Sequence, residues 1–445
     1  MIIQSDRVVL PDGVRPAAIL VRDGRIAAIE PGARAAPAAG ERVIDAGALA
    51  VSPGLVDSHV HIDDPGRESW EGFAHATRAA AAGGVTTIVD MPLNSIPATT
   101  TAAGLEAKRR AAAGKCHVDV GFWGGVVPGN TADLEPLARA GVLGFKCFLC
   151  PSGVEEFEHV TETGLREAVP VLARLGLPLL AHAELPARLR EPRGDPRRYA
   201  TWLDSRPPDA ERDAIDLLIQ LGRESGARVH IVHLASAAAL SSLTSARTEG
   251  VAISVETCPH YLTFAAEDIG DGATAFKCAP PIRAREQRDR LWQGLIDGAI
   301  DLVATDHSPA PPALKRLEDG DFVQAWGGIA SLQIGLPAVW SGARERAIGL
   351  ERLAEWMAAA PARLAGLDRT KGRIAVGHDA DFVIWDPDRA FTVDAAALQH
   401  RHPVTPYDGR QLFGSVRTTI LRGEVIYDAG AIVGTPRGRL VGGVV

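Results

Sequence analysis

Cysteine is scarce in this chain, with five residues among 445. An odd number of scattered cysteines argues for reduced thiols over a disulfide framework. Cys147 and Cys150 form a CxxC pair, but side chains three residues apart on a strand point to opposite faces. We therefore expect both cysteines to pack in the core and neither to serve a metal or redox site.

The chain also lacks membrane, export and nucleic-acid signals. It has no apolar run long enough to span a bilayer and no positive leader followed by an apolar segment. The net charge is −8 and the charges are interspersed, so no basic patch indicates nucleic acid or an anionic membrane as a partner. These absences predict a cytoplasmic protein that acts on a small molecule.

Signature motifs of several enzyme classes are missing as well. The sequence contains no GxSxG elbow, no GxxxxGK[ST] loop, and no GxGxxG between a predicted strand and helix. An acyl-enzyme mechanism and nucleotide binding therefore have little support.

What the chain does contain is a repeating alternation of apolar strands and Ala-rich helices, with a hydrophobic share of 46%. The near-continuous Val, Ile, Leu and Ala content of the strands is typical of strands covered on both faces. The predicted strands are 51–61, 84–91, 117–126, 142–149, 177–183, 228–235, 251–257 and 301–306. Eight βα units predict an α/β fold, a closed TIM-like (β/α)8 barrel over residues 51–369.

The two chain ends have a different rhythm. Short β patterns separated by tight turns fill residues 1–50, and a similar pattern returns in residues 370–445. Each end alone offers too few strands for a two-sided core, so both are predicted to form one small β-sandwich domain beside the barrel. Residues 33–39, which are Ala-rich, and residues 401–414, which are rich in Pro and polar side chains, are predicted to be loops.

Six ionisable residues lie at or near the ends of predicted barrel strands. His59 and His61 share one face of the first strand, because side chains on a strand repeat every two residues. The others are Lys146, His182, His233 and Asp306, in the fourth, fifth, sixth and eighth strands. Imidazole binds zinc-like ions well, and such a barrel has its active site at the carboxyl ends of its strands. The His-X-His pair alone fits two loop histidines equally well, but the six residues together predict a metal site.

Lys146 lies in the apolar strand VLGFKCFL, where a charged ammonium would be desolvated and would face metal cations. Addition of carbon dioxide to the neutral amine would create a carboxylate able to bridge two metals. The alternatives are a lysine that reaches the barrel mouth or one that pairs with Asp306.

Two cations would lower the pKa of a water between them and polarise a carbonyl group. Asp306 is then the expected catalytic residue, because it can accept the proton of that water and pass it to a leaving nitrogen. The predicted reaction class is metal-assisted hydrolysis.

Nine segments carry a resemblance to a known family. They are GLVDSHVHIDDPGRESWEGF (54–73), TTIVDMPLNSIPATT (86–100), GFKCFLCPSGVEEF (144–157), HAE (182–184), ETCPHYL (256–262), KCAPPIR (277–283), DHSPAPPALK (306–315), AWGGIASLQ (325–333) and KGRIAVGHDADFVIWDP (371–387). On these segments the chain resembles the amidohydrolase superfamily, in its cyclic-amidase branch, and within that branch the allantoinases. The resemblance implies a homotetramer and two divalent metal ions, usually zinc, held by the six residues above with Lys146 carbamylated.

The resemblance also implies a substrate class, allantoin or a related hydantoin. Relatives acting on dihydroorotate have an arginine where this chain has Asp63, which would repel an anion. Relatives acting on dihydropyrimidines and hydantoins have a tyrosine where this chain has Pro151. A hydantoinase-like or dihydropyrimidinase-like cyclic amidase remains the alternative, and a catalytically silent scaffold is a second one. The residues implied to contact substrate are Ser308, Ala279, Asn94, Asp63, Trp326 and Gly328.

Overall fold

The computed structural model describes residues 1–32 and 40–442. The predicted surface loop at residues 33–39 lies outside the described residues. Within them, no helix combines the length and the apolar character that crossing a bilayer requires.

The strands and helices alternate through the middle of the chain, and the described residues among the first 53 form strands and no helix. The strands are β1 (Ile2–Leu10), β2 (Gly13–Arg22), β3 (Arg25–Pro31), β4 (Val43–Asp45), β5 (Ala50–Pro53), β6 (Leu55–Val60), β7 (Val85–Asp90), β8 (Asp119–Phe122), β9 (Gly124–Gly125), β10 (Phe145–Phe148), β11 (Leu179–His182), β12 (Val229–Ile231), β13 (Ile253–Thr257), β14 (Leu302–Val303), β15 (Phe382–Thr392), β16 (Gln411–Leu421), β17 (Glu424–Asp428) and β18 (Ala431–Ile432). The α-helices are α1 (Phe73–Ala82), α2 (Ala102–Ala112), α3 (Leu134–Arg139), α4 (Glu162–Leu175), α5 (Tyr199–Ser205), α6 (Pro208–Ser225), α7 (Leu240–Thr248), α8 (Pro259–Thr263), α9 (Arg285–Ile296), α10 (Gly335–Glu345), α11 (Leu350–Ala354) and α12 (Ala360–Leu364).

Parallel strands form the predicted barrel. One sheet runs β6-β7-β8 and a second runs from β9 through β10, β11, β12 and β13 to β14. Only Trp123 separates β8 from β9, and its amide donates to the carbonyl of Asp90 at 3.0 Å. A parallel bridge between Val60 and His307 links the last barrel strand to the first. With β8 and β9 taken as one interrupted strand, eight strands close the barrel, which confirms the predicted fold class.

The two chain ends come together in one small β domain, as predicted, and their strands pair in a single sheet. Nine strands pair in the order β18-β17-β16-β15-β5-β1-β2-β3, with β4 beside β1. The antiparallel pairing of β5 with β15 joins the two ends of the chain. Alternate residues of these strands, such as Ile3, Ile19 and Phe382, form an apolar cluster of their own. The small β domain therefore has a core separate from that of the barrel.

The prediction of a loop over residues 401–414 is wrong for the last four residues of that range. Residues from Gln411 onward belong to β16, where Leu412 pairs with Phe391 and Phe413 pairs with Ala390. The side chain of Leu412 is buried. Two-residue alternation therefore decides the conformation there, although the preceding residues are polar and rich in proline.

The junction between barrel and β domain centres on one buried lysine. The Nζ atom of Lys371 lies 2.7 Å from Asp119 Oδ2, 2.7 Å from Asp381 Oδ2 and 2.9 Å from Asp379 Oδ2. Asp119 begins barrel strand β8, so this cluster marks the amino end of the barrel. The opposite end is left open for a site.

Candidate active site

A cavity of about 300 Å³ opens where the barrel strands end. All six residues predicted to bind metal line it, namely His59, His61, Lys146, His182, His233 and Asp306. Five of the residues predicted to contact substrate line it as well, namely Asn94, Ala279, Ser308, Trp326 and Gly328. The structure thus brings together at one mouth residues that lie up to 269 positions apart in the chain, from His59 to Gly328.

The first group of donors consists of His59, His61 and Asp306. The Oδ1 atom of Asp306 lies 3.1 Å from His59 Nε2 and 3.4 Å from His61 Nε2. Although burial opposes it, the neighbouring imidazoles hold the pKa of Asp306 well below its usual range. Burial lowers the pKa of His61 to about 4. A carboxylate beside neutral imidazoles is a donor set that suits a divalent cation.

The second group pairs two histidines from neighbouring strands. His182 Nδ1 and His233 Nε2 face each other at 3.0 Å. The other ring nitrogen of His182 lies 2.7 Å from Glu184 Oε2, and a carboxylate there accepts the Nε2–H. The lone pair of His182 Nδ1 is therefore directed at the space that it shares with His233. Burial lowers the pKa of both imidazoles, which favours the neutral form that binds metals.

Lys146 lies on β10, next to the strand that carries His182, and its amine forms no hydrogen bond or ion pair with the described residues. Its Nζ atom is buried. The nearest ring is that of Phe148, whose centroid lies 4.8 Å away. Burial lowers the pKa of Lys146 to about 8. An orphaned, readily deprotonated amine among metal-type donors fits a carboxylated lysine that bridges two ions.

Two carboxylates behind the histidines were missed by the sequence analysis. Glu256 on β13 accepts from His59 Nδ1 at 2.5 Å and from His230 Nε2 at 3.1 Å. Burial opposes ionisation, but these imidazoles hold the pKa of Glu256 at about 2. The second is Glu184, which also binds Arg206. A carboxylate that fixes the Nδ1–H tautomer of His59 leaves its Nε2 lone pair pointing at Asp306.

Strained backbone conformations mark the same region. Four non-glycine residues near the cavity have positive φ, at 65° for Asp63, 67° for Asn94, 41° for His233 and 47° for Asp306. Such conformations persist where surrounding structure holds them, and they cluster at functional sites. The turns they make end the barrel strands and direct the following residues toward the mouth.

Asp63 is the one predicted substrate contact that the structure does not bring to the cavity wall within the described residues. The chain turns at this residue, and its carboxyl group is buried with no hydrogen bond to either oxygen. Burial raises the pKa of Asp63 well above its usual value. Asp63 lies beside Asn94, which lines the cavity, so its contact with substrate stays a prediction.

Some main-chain and hydroxyl groups that line the cavity are free to bind a ligand. Ser308 Oγ and the peptide groups of Ala279 and Gly327 make no hydrogen bond to the described residues. Gly328 has φ of 134°, and a Cβ atom there would lie 2.4 Å from the carbonyl oxygen of Ser308. Only glycine permits this approach. The wall thus offers several donors and acceptors to a polar ring.

Pro151 and the two CxxC cysteines also have defined places. Pro151 lines the cavity, at the position where the resemblance places a tyrosine in relatives that act on dihydropyrimidines. Cys147 and Cys150 are buried free thiols. Burial raises the pKa of each to about 12, so neither is reactive at neutral pH.

Comparison with known proteins agrees with this geometry. The sequence model of the amidohydrolase family matches residues 50–426. The allantoinase of Streptomyces avermitilis is 52% identical over 99% of this chain and 98% of its own length. That of Saccharomyces cerevisiae is 46% identical over 87% of this chain and 85% of its own. The solved L-hydantoinase (dihydropyrimidinase) of Arthrobacter aurescens is 33% identical, covers 99% of both chains and superposes with a TM-score of 0.93.

The family model spans the barrel and most of the β domain, and the relatives match nearly end to end. The chain therefore belongs to the amidohydrolase family.

Proposed function

We propose that this protein hydrolyses a ring amide of allantoin to give allantoate. The observation that carries the proposal is the convergence of His59, His61 and Asp306 with the His182–His233 pair at one cavity. The substrate is inferred from relatives named allantoinase that match this chain over nearly its full length.

The proposed centre would take two divalent ions of the zinc type, with a carboxylated Lys146 among their ligands. His59, His61 and Asp306 would hold one ion, and His182 and His233 the other. The donor chemistry supports this, because neutral imidazoles and carboxylates are the usual ligands of catalytic zinc. When bound, the ions would lower the pKa of a nearby water and polarise the carbonyl under attack.

The chain's own residues would then move the proton and hold the ring. Asp306 is buried and ionised, so it can take a proton from the attacking water and deliver it to the leaving ring nitrogen. Ser308 Oγ and the peptide groups of Ala279 and Gly327 would bind the ring amide and imide groups. Asn94 would contact the substrate from the opposite side of the cavity.

A hydantoinase-like activity is the second candidate, because the fold superposes closely on an L-hydantoinase. Against it stands Pro151, which lines the cavity and cannot supply a hydroxyl group to the ring. Both activities share the metal centre and differ in the group attached to the ring.

The test is a side-by-side assay of purified, metal-replete protein on allantoin, hydantoin, dihydrouracil and dihydroorotate. We expect allantoate from allantoin, a far lower rate on the other rings, and loss of activity with a chelator that returns when zinc is added. Metal-replete protein that is inert on allantoin would overturn the proposal. Higher turnover of hydantoin than of allantoin would favour the second candidate.

We also propose that the protein works as a cytoplasmic homotetramer, an assembly that rests on the family resemblance alone. Sedimentation velocity at micromolar concentration tests it, and a monomer under those conditions would contradict it.

A further inference from the structure

Two buried lysines lie at the part of the cavity wall that contains Ala279 and Gly328: Lys277 lines the cavity, and Lys315 lies outside its lining. Lys277 is 4% exposed and Lys315 is 3% exposed. Neither forms an ion pair with an acidic side chain among the described residues. A buried ammonium without a counter-ion is costly unless dense hydrogen bonding compensates it. Their contacts therefore indicate what they do.

Lys315 binds main-chain carbonyl groups. Its Nζ atom donates to Gly328 O at 2.6 Å, to Trp326 O at 3.1 Å and to Lys277 O at 3.5 Å. Three acceptors match the three N–H donors of an ammonium group. The lysine therefore fastens one end of a loop to the segment that precedes Ala279.

Lys277 binds the other end of the same loop. Its Nζ atom donates to Ala325 O at 2.5 Å and to Val323 O at 3.0 Å. The ammonium also lies 4.2 Å from the ring centroid of Trp202, a cation–π contact. We call residues 323–328 the cavity loop. Four of its carbonyl groups are thus held by two lysines.

The cavity loop forms part of the cavity wall, from Gln324 to Gly328. The amide of Gly328 donates to Lys277 O at 2.8 Å. A Cβ atom on Gly327 would lie 3.8 Å from Cys278 Cα, so the loop packs directly on the segment that carries Ala279. The peptide groups of Gly327 and Ala279 that are free to bind a ring lie on these two packed segments.

Consecutive glycines cannot hold such a position by side-chain packing, and they have the largest backbone entropy of any residues. The ammonium-to-carbonyl bonds supply the missing constraint. The amino end of the loop is also held by Asp321 Oδ1, which accepts from the amides of Val323 at 2.8 Å and Gln324 at 3.0 Å, whereas the two lysines hold its carbonyl groups as far as Gly328.

We propose that Lys277 and Lys315 are positioning residues that set the substrate-binding wall, holding the cavity loop so that the peptide groups of Gly327 and Ala279 meet the ring. For the identity of the substrate this inference rests on the proposed function. Neither lysine touches the metal-type donors, so their removal acts on substrate binding and leaves the metal centre intact.

The first arm of the test is kinetic. In Lys315→Met and in Lys277→Met we expect KM for allantoin to rise roughly tenfold or more while kcat changes by less than about threefold, the pattern of lost ground-state and transition-state binding alike. Metal content should match that of the wild type. Lys315→Arg, which keeps a cation with several donors, should recover part of the loss in KM.

The matched control is Lys371→Met, another buried lysine at the amino end of the barrel. It should lower the urea midpoint without changing KM, when all variants are assayed at a temperature where each is folded. A rise in KM for Lys371→Met equal to that of the cavity-loop variants would overturn the proposal, because general loss of stability would then explain the effect.

The second arm needs no substrate. Hydrogen–deuterium exchange should quicken by about tenfold or more in the peptide covering residues 323–328 of both Met variants, because the loop opens locally. Exchange in barrel strand β12 should stay unchanged. If the wild type proves inert on allantoin, the proposed function is overturned, but the exchange measurement still tests whether the two lysines hold the cavity loop. If Lys315→Met does not fold, Lys277→Met carries both arms.

Unchanged exchange in residues 323–328 with unchanged KM would overturn the inference and leave the proposed function standing. So would faster exchange spread evenly over the chain, or loss of bound metal from the Lys315→Met protein.

Discussion

At the scale of single residues, Lys146 is the most sensitive point of the candidate site. Its amine is buried, unpaired and surrounded by donors that suit cations. We expect Lys146→Ala to lose bound metal and turnover, because the substitution removes the amine that lines the cavity together with both donor groups. Short carboxylates such as acetate should restore part of both. Metal analysis and allantoin turnover check this, and a variant with two metals and full rate would contradict it.

Substitution of Glu256 tests whether its carboxylate, by accepting the Nδ1–H of His59, strengthens metal binding at His59. Glu256→Gln keeps an oxygen near His59 but removes the charge that accepts its Nδ1–H. Loss of such a partner lowers metal affinity by roughly 10- to 100-fold, which competition with a chromogenic chelator measures. Ser254→Ala is the control, because Ser254 touches only His230, one step further out. Equal effects of the two substitutions would argue against the role given to Glu256.

The sequence allowed the residues at strand ends to be predicted, because parallel strands deliver their carboxyl ends to one mouth. It could not reveal Glu256, since the partner that gives it meaning, His59, lies 197 residues away. A charged residue inside the apolar strand ISVET was the only available signal. The direction of the Asp63 side chain was not predictable either, because proximity to the His-X-His pair does not fix where a side chain points beyond a turn.

At the scale of elements, helix α6 holds the loop that follows the His233 strand. Glu211 on α6 accepts from the amides of Ala235 at 2.9 Å and Ser236 at 3.2 Å, and it pairs with buried Arg283. Predicted strand ends were too long here: 228–235 was expected, but the strand stops at Ile231. Beyond it, Val232 and Leu234 still donate to the neighbouring strands, at Ala181 O and Glu256 O, but the amides of Ala235 and Ser236 are held by helix α6, which no local pattern indicates.

Glu211→Gln should therefore destabilise the protein strongly. The substitution leaves a buried guanidinium uncompensated, and breaking a buried pair in this way costs about 3–5 kcal/mol in the free energy of unfolding. Urea unfolding of metal-free protein measures the change. Glu224→Gln on the exposed face of the same helix removes a surface pair with Arg166, and its unfolding midpoint should stay at the wild-type value. Similar midpoints for both variants would contradict the prediction.

At the scale of the whole molecule, the two chain ends and the barrel depend on one another. Pairing of β5 with β15 makes the β domain a product of residues more than 300 positions apart. Periodicity was enough to predict that both ends are β-rich and join. The junction at Lys371 was not predictable, because its three carboxylate partners come from the barrel and from the segment before β15.

That junction gives the last prediction. Burial opposes the charge on Lys371, but Asp381, Asp119 and Asp379 raise its pKa above the usual value. Lys371→Met would leave buried Asp381 and its neighbour Asp379 without their cation, while Asp119 keeps Arg422, and we expect a cost of about 3–5 kcal/mol in the free energy of unfolding. Arg166→Met is the control, since its pairs with Glu162 and Glu224 are exposed on both sides and such surface pairs contribute little to stability. Urea midpoints followed by circular dichroism separate the two, and an equal loss in both would mean that the cluster does not join the domains. A first transition confined to β-sheet signal would show, in addition, that the β domain loosens before the barrel unfolds.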